Sequence, residues 1–122
     1  MDGSSYKMSI QHDYVLVERP RQYTVVLDEQ PAMLAELSAV CKQAGTRNVL
    51  ILGPKTEVGL STFDILELGG QIANSRLRIA IAEEHDAANE DVKFLESVAW
   101  NRGGLIKFFD SKKEAEDWLG TS

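Results

Sequence analysis

Glu83, Glu84, His85 and Asp86 follow one another directly after an apolar run. Carboxylates beside an imidazole can hold a divalent cation or move a proton. The carboxyl edge of an open α/β sheet, where such a run would end, is where these folds usually take ligands. Asp28, Glu29 and Asp110 could be brought to the same edge. The cluster also has a plain structural use: Asp86 can cap the following helix, and negative charge complements that helix's N-terminus. Ser61 and Thr62 form a second group. They open a helix, where unpaired backbone N–H groups and the helix dipole favour an anion or an added phosphate, although capping alone also accounts for Ser61. Cys41 with His12 or His85 would be a thiol nucleophile, but Cys41 falls on the apolar stripe of a helix, which predicts a buried, inert thiol. Trp100 and Trp118 can anchor an interface, yet aromatics at helical spacing predict core positions.

Two nucleotide-binding patterns are excluded. The loop Gly53-Pro54-Lys55-Thr56-Glu57-Val58-Gly59-Leu60-Ser61 joins a strand to a helix as a phosphate-binding loop does. However, five residues rather than four separate its glycines, Leu60 stands where lysine is required, and Glu57 would repel a phosphate. No Gly-x-Gly-x-x-Gly run follows any strand, so the dinucleotide fingerprint is missing too.

The elements that must position these groups are most regular after Gly45. Val49, Leu50, Ile51 and Leu52 form a short apolar run bounded by Gly53 and Pro54, which predicts a strand buried on both faces. Leu77, Ile79, Ala80, Ile81 and Ala82 form a second such run, and Leu105, Ile106, Phe108 and Phe109 a third. The spacing between them leaves room for crossover helices and predicts parallel strands.

Met33, Leu34, Leu37, Val40, Cys41 and Ala44 lie on one helical face, with Pro31 suited to the first turn and Gly45 to the stop. A second helix spans residues 61–75, with Ser61 and Asp64 as a shortened capping box and Ile65, Leu66, Ile72 and Ala73 as its stripe. Gly69 and Gly70 weaken it by roughly 1 kcal/mol each relative to Ala, unless they let a neighbour approach closely. The third helix is expected over residues 87–100, with Asp86 as cap, Val92, Leu95, Val98 and Ala99 facing inward, and Gly103 and Gly104 at its end. Ser111 and Glu114 form a capping box for a short last helix, with Ala115, Trp118 and Leu119 buried. Residues 7–18 and 23–27 read as two strands separated by Pro20, giving the sheet an antiparallel start. The fold class is therefore α/β, a mixed sheet with antiparallel N-terminal strands, a parallel body and about four helices.

The composition fits one domain over residues 6–120, preceded by a flexible N-terminus at 1–5. Hydrophobic residues make up 43% and charged residues 26% of the 122, as in an ordinary globular chain. Thirteen Lys and Arg against nineteen Asp and Glu give a net charge of −6, which argues against nucleic acid as a partner. A single cysteine supports neither a disulfide scaffold nor a thiolate metal centre, and no export signal or membrane-spanning run is present. A cytoplasmic protein without metal or cofactor is expected.

The order of elements, together with the closing Phe109-x-x-x-x-x-Ala115-x-x-Trp118-Leu119, resembles the anti-sigma-factor-antagonist-like superfamily, also called STAS or SpoIIAA-like. The resemblance covers most of the chain. It implies a non-enzymatic regulatory or small-molecule-binding module. In the antagonists of this superfamily a partner kinase phosphorylates a serine at the start of the second helix, the place held here by Ser61 or Thr62. The antagonists carry an Asp-Ser-Ser-Gly-like sequence there, whereas this chain reads Gly59-Leu60-Ser61-Thr62-Phe63-Asp64. Three functions are compatible with these features: a regulatory or protein-interaction module with a protein partner, a small-ligand or lipid-binding domain, and an enzyme using residues 83–86. A homo-oligomer is compatible with each.

Overall fold

In the computed structural model, which describes residues 7–19, 24–25, 29–53, 57–58, 61–83 and 90–120, the three apolar runs form neighbouring strands. They are β4 (Asn48–Gly53), β6 (Arg78–Glu83) and β7 (Leu105–Phe109). With β1 (Lys7–Ile10) and β2 (Val15–Glu18) they make a five-stranded sheet of order β1-β2-β4-β6-β7. Only β1 and β2 pair antiparallel; β2, β4, β6 and β7 are parallel. The helices are α1 (Gln30–Ala44), α2 (Thr62–Ser75), α3 (Glu90–Asn101) and α4 (Lys112–Leu119). The N-terminal extension read from residues 1–5 lies outside the described residues.

The antiparallel start is present, but its partners differ from those the sequence predicts. Residues 7–18 do not form one strand; they turn back at residues 11–14, where the Gln11 N–H donates to the Tyr14 carbonyl at 2.9 Å. Gln11, His12 and Asp13 are exposed, and so polar a triplet cannot continue a strand into a buried sheet. The described residues of the second segment form β3 (Thr24–Val25), which pairs parallel with β5 (Glu57–Val58) in a separate two-stranded sheet.

Side chains alternate across each strand, so the layers follow from the register. Val15, Val17, Val49, Ile51, Ile79, Ile81, Ile106 and Phe108 share one face and pack with residues of α1, α2 and α3. Leu50, Ala80 and Ala82 point the other way, with Ala115 and Leu119 of α4. The three crossovers, β2 to β4, β4 to β6 and β6 to β7, step in one direction across the sheet. Right-handed connections must then put all three helices on one face. Since α4 follows the last strand, no crossover constrains it, and it covers the other face.

Close packing of α2 on α3 depends on Gly69: a Cβ there would overlap Cγ1 of Val98. The suspected close approach is therefore real, and it accounts for a residue of poor helix propensity in mid-helix. At the β7 edge of the sheet, the Phe108 N–H donates to Oε2 of Glu96, a side chain from α3, at 2.6 Å.

Candidate functional site

Since α2 follows β4 in a parallel crossover, its first turn lies at the carboxyl edge of the sheet. Ser61 is extended (φ −71°, ψ 166°), and its Oγ accepts the Asp64 N–H at 3.1 Å, as the sequence predicts for a cap. Ser61, Thr62 and Phe63 are all exposed, with Phe63 at 80%. A phenyl ring so open to water on the first turn of a helix contributes nothing to the core. It presents an apolar surface beside two hydroxyl groups and the dipole's positive end.

The acidic cluster is only partly described. Glu83 is the last residue of β6 and pairs in register with Gly53, which puts it at the same edge by topology. Glu84, His85 and Asp86 lie outside the described residues, as does Asp28. Glu29 stands before α1 without a side-chain capping bond, and Asp110 is exposed after β7. Among the described residues no three His, Cys, Asp or Glu side chains gather as metal ligands. Cys41 is 2% exposed, and burial pushes its thiol pKa up, which disfavours the thiolate a nucleophile needs. His12 is on the exposed hairpin turn, 3.7 Å from Asp13 Oδ1.

The two tryptophans have different surroundings. Trp118 is half-buried, its ring 5.8 Å from that of Phe109 and 4.7 Å from the Arg78 guanidinium carbon. Trp100, expected in the core, is 67% exposed. It lies about 140° around α3 from the buried Leu95 at 3.6 residues per turn, which is the signal that identifies it as an outward residue. Together with Glu96, Lys107 and Trp118 it lines an open cleft of about 400 Å³.

Between the sheet and α1, α2 and α3, the interior space lined by Met33, Leu68, Ile72 and Phe108 is about 30 Å³. That is room for one water molecule, against several hundred Å³ for a small-molecule site. A lipid or other apolar ligand in that space would have to open it. A larger cleft of about 600 Å³ at the opposite, amino edge of the sheet is lined by Arg47, Arg76 and Arg102. Sequence reading does not single out these arginines, because each is a lone residue in a different loop.

No family model and no curated protein matches the chain. Solved structures do. An uncharacterized protein of the DUF3478 family with a SpoIIAA-like fold, from Shewanella loihica PV-4, superposes with a TM-score of 0.56 at 22% identity, covering 98% of each chain. The solution NMR structure of the protein TM1081 superposes with a TM-score of 0.52 at 16% identity, covering 94% of this chain and 88% of that one. The fold is SpoIIAA-like: a mixed α/β sheet whose first pair is antiparallel and whose remaining strands are parallel, with four helices among the described residues. No helix of the described residues is long and apolar enough to cross a membrane.

Proposed function

We propose that this chain is a non-catalytic protein-interaction module that presents the first turn of α2 to a protein partner. The observation that carries this reading is Phe63, 80% exposed and two residues from the capping hydroxyl of Ser61. Exposed aromatic side chains act as anchors by filling a partner's pocket. The SpoIIAA-like fold supports the reading, because that fold often serves interaction.

A hydroxyl beside the anchor also supplies a means of control. A phosphate on Ser61 or Thr62 adds nearly two negative charges next to Asp64 and changes the surface that a partner meets. The natural experiment captures partners on immobilised wild-type protein in parallel with Phe63→Ser and Ser61→Glu variants. A partner should be retained by the wild type and lost by Phe63→Ser, with altered recovery on Ser61→Glu. Identical captures from all three proteins would refute the α2 surface. Intact-mass measurement should find a form heavier by one phosphate, removed by Ser61→Ala or Thr62→Ala; its absence under every growth condition would reject the switch.

A further inference from the structure

Each of the three helix-to-strand loops in the parallel body contributes one arginine to a single cleft. Arg47 follows α1 and precedes β4, Arg76 ends α2 before β6, and Arg102 follows α3 before β7. Because β4, β6 and β7 are adjacent, the loops are neighbours, and the three side chains with Asn74 line the 600 Å³ cleft at the amino edge. Among the described residues no carboxylate lines it, and none of the three arginines forms an ion pair. Asp13 also lies along this edge: its carbonyl accepts the Thr46 hydroxyl at 3.2 Å and its carboxylate is beside His12.

In a chain of net charge −6, this concentration of cations has an ordinary explanation, since positive charge complements helix C-termini. Two observations go beyond that explanation. First, Arg76 is at φ 60°, the sole non-glycine residue at positive φ among those described, whereas α1 and α4 place Gly45 and Gly120 at the same capping position. Glycine takes the left-handed cap without penalty; an arginine there bears a backbone cost. Charge complementarity alone would be served as well by a basic residue in the last turn of α2, where there is none. Second, the Arg102 guanidinium lies over Gly70: a Cβ at that position would be 3.1 Å from Nη1. Gly70, poor in a helix interior, leaves space for the guanidinium at the cleft.

We infer that Arg47, Arg76 and Arg102 bind a small polyanion, a ligand carrying phosphate or several carboxylate groups. Guanidinium groups match both by forked hydrogen bonding. The overall negative charge selects for a small ligand over a nucleic acid or an anionic membrane. The site is separate from the interaction surface: Ser61 and Arg76 cap opposite ends of α2, roughly 20 Å apart at 1.5 Å per residue.

The test is titration of the full-length 15N-labelled chain with pyrophosphate and, separately, with citrate, followed by amide shifts. At least one anion should produce saturable shifts around Arg47, Leu77 and Gly103, at concentrations below about 10 mM. Tighter binding of pyrophosphate identifies a phosphate ligand, and tighter binding of citrate a polycarboxylate. Arg76→Gly and Arg102→Gln should each weaken binding about tenfold or more. Arg76→Gly removes the charge while relieving the backbone, so its melting temperature should not fall, which separates loss of binding from loss of fold. Absence of saturable shifts with both anions, or unchanged affinity in both variants, would overturn the proposal.

Discussion

On one face of the sheet, Val15, Val17, Val49, Ile51, Ile79, Ile81, Ile106 and Phe108 meet three helices; on the other, Leu50, Ala80 and Ala82 meet the eight residues of α4. The first face is filled by branched and aromatic side chains at close packing, with Gly69 letting α2 settle onto α3. The second sets Leu50 and two alanines under a helix too short to persist alone. Polar side chains tie that helix down. The Tyr14 hydroxyl donates to Glu116 Oε2 at 2.9 Å, Arg78 Nη2 donates to the Trp118 carbonyl, and Asn48 Nδ2 donates to the Leu119 carbonyl at 3.5 Å. The last two bonds satisfy carbonyls that the end of a helix leaves unpaired. Burial of volume thus specifies one layer, and a smaller apolar cluster together with directional bonds specifies the other.

Four substitutions probe the contrast. Ile51→Ala removes a fully buried side chain from the three-helix face and should cost about 2–5 kcal/mol, read as a lower urea midpoint with unchanged slope. A cost under about 0.5 kcal/mol, the range of surface substitutions, would mean that this layer is not closely packed.

Gly69→Ala should cost about 1–3 kcal/mol by forcing α2 from α3. Adding Val98→Ala should recover part of that loss, and a strictly additive double mutant would deny the contact.

The smallest effect is expected on the other face. Tyr14→Phe should cost about 1 kcal/mol at neutral pH, with faster hydrogen exchange concentrated in α4. Burial raises the Tyr14 pKa from 10.0 to about 12, and the bond to Glu116 and its negative charge act in the same direction. A phenol whose folded pKa lies above its unfolded value contributes stability that is fully present below pH 10 and lost as pH rises toward 12. The difference between wild type and Tyr14→Phe should therefore shrink over that window. A constant difference across it would show that the hydroxyl bond to Glu116 is not what holds α4.

The parts legible in the sequence are those governed by local signals. The runs at Val49, Ile79 and Ile106 announce strands buried on both sides, and Ser61, Ser111 and Gly45 mark helix ends by their capping chemistry. The N-terminal hairpin is masked in the sequence, because Lys7 to Glu18 has strand-like composition throughout and only the polar turn divides it. Pairing of β3 with β5 joins two residues to two others across more than thirty positions, too little pattern to register. Of the candidate site, the Ser61 cap could be foreseen, but not the exposure of Phe63. The arginine cleft was invisible for a different reason: it exists only once β4, β6 and β7 are known to be neighbours.

Glu96 has a consequence for how this molecule behaves among copies of itself. An edge strand with open N–H and C=O groups is a template on which another chain can add a strand. By occupying the Phe108 N–H with a carboxylate, Glu96 puts a charged stopper on the apolar edge Leu105–Phe109. An incoming strand would have to displace that carboxylate from the Phe108 N–H, so strand addition at this edge carries an electrostatic and desolvation cost.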